Sequence, residues 1–263
     1  MTVKDICKVH YFSCVEAYFG AWIMRFIQLP LLYAQSYLPW NEIVRAFEDD
    51  SVEYINFQHI PRIQDFAERI GIVTHRKQRG LPQNVNRNDL LLLSVKENFF
   101  SKRKPWRSDH YIAAELTGKK IKYCNEYPLV SGEIEKTAFN EQFGGESLVY
   151  SLLSCDLTQA KKICMQQITA IYEKRENYLY PTLPLNRLRD AIGILRVSRK
   201  RTVEWLAKQD FISGKDELRK KLVGQIEYAD NCYFRLQSIM IRNGRAEERF
   251  LKEITEQIAR FEQ

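Results

Sequence analysis

The chain has 263 residues, 45% of them hydrophobic and 28% charged, with a formal net charge of +7. That composition supports a packed core and excludes a disordered or low-complexity protein. No apolar stretch reaches the ~18–20 residues that a bilayer span requires, because Glu16, Arg25, Gln28 and Pro30 interrupt the richest region, Val15 to Leu38.

The opening Met1-Thr2-Val3-Lys4-Asp5 carries no secretory pattern, since Asp5 and Lys8 break any early apolar run. A cytoplasmic location is expected. The first element is an aromatic, apolar helix over about Cys14 to Ala34, interrupted near Pro30. Asn41 caps a short helix over Glu42–Glu48. Apolar residues at helical spacing, Ile60, Ile63, Phe66, Ala67 and Ile70, predict another helix that Gly71 stops.

The period then changes. Leu90–Val95 is a continuous apolar run of strand length, and His110–Leu116 with Lys120–Cys124 reads as a hairpin turning at Thr117-Gly118-Lys119. Leu148–Leu153 is a fourth strand. Helices first and strands later argue for an α+β domain rather than alternating βαβ units. From about Leu157 the pattern is helical to the end, with segments over Asn186–Gln209, Asp216–Ile241 and a final amphipathic stretch. Residues 151–263 hold 21 basic and 15 acidic side chains, so most of the excess positive charge lies there. Such a tail suits an acidic partner, or is simply a solvated helical face.

The six cysteines are Cys7, Cys14, Cys124, Cys155, Cys164 and Cys232, with no C-x-x-C pair. His10, His59 and His75 show no metal-ligand spacing, so no metal site is expected. Cys14 differs from the other cysteines in sitting where a loop enters the long helix, a position that lowers a thiol's pKa and offers backbone N–H groups to an oxyanion. A buried structural cysteine is the competing reading. His110 begins the hairpin whose return strand ends at Asn125-Glu126-Tyr127-Pro128, so Asn125 or Glu126 can face the imidazole across the pair. An ordinary edge-strand histidine is the alternative. Two basic loops, Arg76-Lys77-Gln78-Arg79 and Lys102-Arg103-Lys104-Pro105-Trp106-Arg107, suit phosphate, and the second runs into His110.

In combination, Phe12-Ser13-Cys14-Val15-Glu16, the strand from Leu90, Asp109-His110-Tyr111-Ile112 and Cys124-Asn125-Glu126-Tyr127-Pro128 resemble the papain-fold cysteine acyltransferases of antibiotic biosynthesis. The likeness is to the butirosin and closthioamide amide-forming types, and more distantly to bacteriocin-processing peptidases. It implies a papain-like catalytic domain over residues 1–153 and a helical extension over 154–263. It also implies Cys14 as nucleophile, His110 as base and Asn125 as orienting residue, with Pro128 favouring Asn125 over Glu126. Such peptidases place a glutamine shortly before the cysteine, and Lys4 to Ser13 contains none, which favours acyl transfer over peptide hydrolysis.

The implied reaction moves an acyl group from an acyl carrier protein thioester through acyl-Cys14 to an amine. The phosphopantetheine arm arrives on the carrier, and Lys102, Arg103, Lys104 and Trp106 meet it. A peptidase or amidase with the same residues, and a non-catalytic adaptor for an acidic partner, are the rival readings. Nucleic acid and membrane are not expected partners.

Overall fold

The structure is a computed structural model and describes residues 3–48, 62–96, 99–100, 110–126, 128–173, 183–210, 212–242 and 244–261. Two compact units emerge, Met1–Leu29 with Arg62–Leu157, and Pro30–Pro61 with Thr158–Gln263. Residues 30–48 group with the C-terminal helices. Buried Leu38 and Tyr37 explain this, since their backbone N–H groups bond Ser198 Oγ at 2.9 Å and Gln167 Oε1 at 3.3 Å.

The first unit is a mixed α/β structure. Helices α1 (Val3–Ile6), α2 (Cys14–Ile23) and α4 (Ile63–Arg69) accompany strands β1 (Val73–Arg79), β2 (Leu90–Val95), β3 (His110–Thr117), β4 (Lys120–Glu126), β5 (Leu129–Glu135) and β6 (Phe143–Leu152), with α5 (Lys136–Gln142) before the last strand. The six strands form one sheet in the order β1-β6-β2-β3-β4-β5, and every pairing is antiparallel. Strand β2 is central and buried throughout, which is why it reads as an unbroken apolar run. Its odd positions Leu91, Leu93 and Val95 join Ile112, Ile121, Val149 and Phe139 in one core cluster.

Two features correct the sequence reading. Helix α2 ends at Ile23, and the chain resumes as a 3₁₀ turn over Leu29–Tyr33, so no single helix reaches Ala34. The basic segment Arg76–Arg79 is the outer part of edge strand β1 and is not a loop; Val73 is its one buried residue, so it lacks the alternation that announces a strand. Gly144 and Gly145 serve a register shift between β2 and β6. A Cβ on Gly144 would lie 2.8 Å from Ser94 Oγ, and that hydroxyl both accepts from Glu146 N–H and donates to Glu146 O.

The second unit is helical: α3 (Trp40–Glu48), α6 (Thr158–Tyr172), α7 (Leu185–Leu206), α8 (Lys215–Ile241) and α9 (Glu248–Phe261). Along α8 the buried positions Leu218, Leu222, Gln225, Ala229, Cys232 and Leu236 form a stripe against α7. Arg199 of α7 is fully buried, with its Nε on Gln225 Oε1 at 2.7 Å, an η nitrogen on Leu38 O at 2.9 Å, and its guanidinium 4.2 Å from the Tyr37 ring centre. Among the described residues no helix is long and apolar enough to cross a membrane.

Candidate active site

Cys14 is the first residue of α2 because the preceding loop is built to start a helix there. Ser13 has extended backbone angles and its Oγ accepts the Glu16 N–H at 3.4 Å. Glu16 is fully buried, and its two carboxylate oxygens accept the Phe12 N–H at 2.7 Å and the Ile63 N–H at 3.0 Å. One side chain thus ties the loop before the cysteine to the start of α4. Behind it the chain packs closely, since a Cβ on Gly20 would lie 2.5 Å from Val9 Cγ1.

His110 and Asn125 come from the hairpin. The β3–β4 register, Ala113 opposite Cys124, brings the first residue of β3 to the end of β4. His110 Nε2 lies 2.6 Å from Asn125 Oδ1. Asn125 Nδ2 donates to Pro128 O at 2.9 Å, which fixes the amide orientation. Oδ1 can only accept, so Nε2 carries the hydrogen and the basic lone pair of the ring is on Nδ1. Asn125 Oδ1 also accepts the Tyr18 O–H at 3.0 Å, and Tyr18 Oη accepts the Glu126 N–H at 3.1 Å. Tyr18 lies four residues after Cys14, so one helix face carries both the thiol and the clamp on Asn125.

Donor atoms of Cys14, His110 and Glu126 lie within 4.8 Å of one another. A thiol, an imidazole and a carboxylate are donors a divalent cation such as zinc accepts, and they come from α2, β3 and β4, so linear spacing could not reveal the set. Glu126 accepts a long hydrogen bond from Tyr11 Oη at 3.5 Å.

The electrostatics favour neutral groups. Burial pushes the Cys14 thiol up to about 11; the main-chain N–H of Tyr111 pulls it down, Glu126 pushes it further up, and the N–H groups of Val15 and Cys14 pull it down. Burial lowers the imidazole of His110, and the hydrogen bond to Asn125 only partly offsets this. Sulfur therefore holds the proton at neutral pH and the ring is uncharged. Burial also raises the Glu126 carboxyl, against the pull of Tyr11. The Tyr11 phenol is pushed up to about 12, by burial first and Glu126 next, and stays a donor.

Of the other sequence candidates, His75 sits on β1 with Nδ1 2.9 Å from Glu68 Oε1 and is surface structure. Lys102, Arg103, Lys104 and Trp106, and His59, lie outside the described residues. Tyr11 and Tyr18 were missed, and the one signal for Tyr18 was its spacing of four from Cys14. Comparison with protein-family models, with curated proteins and with solved structures returned no match.

Proposed function

We propose that this protein is a papain-like cysteine acyltransferase that forms an amide from a thioester and an amine. The observation that carries the reading is the approach of the Cys14 sulfur, at the first turn of a helix, to the His110 imidazole, whose Nε2 lies 2.6 Å from Asn125 Oδ1. Nucleophile, base and orienting group are the three parts that thiol catalysis requires.

In the first step the Cys14 sulfur attacks the thioester carbonyl as its proton passes to His110 Nδ1. The developing oxyanion meets the Cys14 and Val15 N–H groups, which face the sulfur at the start of α2, where the helix dipole is positive. Collapse breaks the bond to the departing thiol, which takes the proton from His110 and leaves acyl-Cys14. An amine then attacks the same carbonyl, gives a proton to His110, and the amide departs as that proton returns to the Cys14 sulfur. Exchange of one thioester for another is nearly isoenergetic and amide formation is downhill, so neither ATP nor a metal is called for. A resting thiol with a neutral base suits a reactive thioester better than a peptide bond, since no preformed thiolate is at hand.

The acyl donor in this reading is a thioester on an acyl carrier protein. That part rests on the sequence resemblance and on the basic segment Lys102-Arg103-Lys104. The test is product analysis: with an acyl pantetheine thioester and a primary amine, the account expects the amide. Free acid as the sole product, at a rate indifferent to amine, would move the assignment to a hydrolase.

A further inference from the structure

Glu126 is left unexplained by acylation. Its carboxylate lies within 4.8 Å of the Cys14 sulfur and of a His110 ring nitrogen. A negative charge there opposes formation of a thiolate, so it works against the first half-reaction. Its backbone is fixed, because the Glu126 N–H bonds Tyr18 Oη at 3.1 Å and the residue pairs with Leu129 across the β4–β5 turn. Its side chain is poorly satisfied by comparison, with the 3.5 Å contact from Tyr11 Oη as its hydrogen bond among the described residues. A partly buried carboxylate with spare acceptor capacity is a site for a cation.

We infer that Glu126 is the acceptor subsite, binding the ammonium form of a primary alkylamine beside the acylated Cys14. This rests on the acyl-transfer reading above. An attacking nitrogen must come within about 3–3.5 Å of the carbonyl carbon, and that carbon is bonded to the sulfur. Because the Glu126 carboxylate lies within 4.8 Å of the sulfur, a nitrogen hydrogen-bonded to it about 2.8 Å away can come within that reach. The proton count closes. Glu126 takes one proton from the ammonium and releases a nucleophilic amine. His110 takes the second as the C–N bond forms and delivers it to sulfur as the C–S bond breaks. Glu126 then returns its proton to water. The same carboxylate that hinders acylation thus selects and deprotonates the acceptor, and the selected substrate class is cationic amines over neutral nucleophiles.

The two half-reactions can be read separately in EDTA-containing buffer, which removes any divalent ion bridging the three donors. Acylation is followed by intact mass with a thioester alone. Release of the acyl group is followed with propylamine and, as an uncharged comparator, hydroxylamine. For Glu126→Gln the expected result is acylation unchanged or faster, propylamine aminolysis slower by roughly 10- to 100-fold, and hydroxylamine release unchanged. Equal loss with both nucleophiles, or loss with neither, overturns the assignment. Should the variant fail to fold, the unaltered protein decides: trimethylammonium should compete with propylamine, raising the propylamine concentration needed for half-maximal release, and absence of that competition overturns it. An unaltered protein that never forms an acyl-enzyme sinks the acyl-transfer reading itself, and the acceptor assignment with it. An acyl-enzyme that forms and is indifferent to Glu126 sinks the acceptor assignment alone.

Discussion

Two buried polar centres in this molecule are built on opposite plans. Arg199 in the helical unit spends its donors on Gln225, Leu38 and Ser198 and its charge on the Tyr37 ring. The His110 cluster in the sheet unit is held by Asn125, Tyr18 and Pro128, and it also brings the Cys14 thiol and the Glu126 carboxylate within 4.8 Å of the ring. Full satisfaction makes a centre structural. Locking the support while sparing the reacting atoms is how a centre is held ready for chemistry.

Crossed substitutions break or sharpen that contrast. Arg199→Ala should cost about 3 kcal/mol of stability, by orphaning the buried partners of the guanidinium and opening a void. The measurement is denaturant unfolding. The acylation rate per folded molecule should not change, and a selective loss of acylation would break the comparison.

Asn125→Ala should do the reverse, slowing turnover by roughly 10–1,000-fold with the fold retained, because the imidazole loses the acceptor that sets its tautomer. Steady-state rates beside circular dichroism would check both halves. If unfolding and activity fall together, the cluster is structural like Arg199. Tyr18→Phe removes one of the two donors to Asn125 Oδ1 and the acceptor of the Glu126 N–H. About a tenfold loss of rate and about 1 kcal/mol of stability are expected.

A smaller effect concerns protonation. With the thiol raised to about 11 and the imidazole lowered, the thiolate fraction of Cys14 should grow about tenfold per pH unit through neutrality. Iodoacetamide labelling of Cys14, followed by peptide mass mapping, should therefore accelerate steadily from pH 6 to pH 9. A rate that is already flat over that range would show a preformed thiolate–imidazolium pair and contradict the neutral resting state.

What the sequence disclosed follows the range of the interactions. The entry of α2 at Cys14 and the β3–β4 hairpin are local, set by Ser13 and Gly118 within a few residues, and both were legible. So was β2, whose six buried residues leave no ambiguity. Strand β5, with alternate positions only half-buried, and polar edge strand β1 gave no such signal. The end of α2 at Ile23 was also missed, since nothing in its apolar run marks a stop before Pro30. In the site, Cys14 and His110 could be singled out one by one, while the strand end left Asn125 or Glu126 open and only the family resemblance favoured Asn125. The grip of Tyr18 on Asn125 and the approach of Glu126 to the sulfur depend on how α2 meets β4, which no spacing along the chain encodes.

The central claim is that Cys14 carries the acyl group. Intact-protein mass spectrometry after incubation with an acyl pantetheine thioester, without amine, tests it most directly. The account predicts a single added acyl mass that maps to Cys14, is absent in Cys14→Ala, and disappears as amide forms when a primary amine is supplied. An adduct that persists unchanged in Cys14→Ala, or no adduct on the unaltered protein, would contradict it.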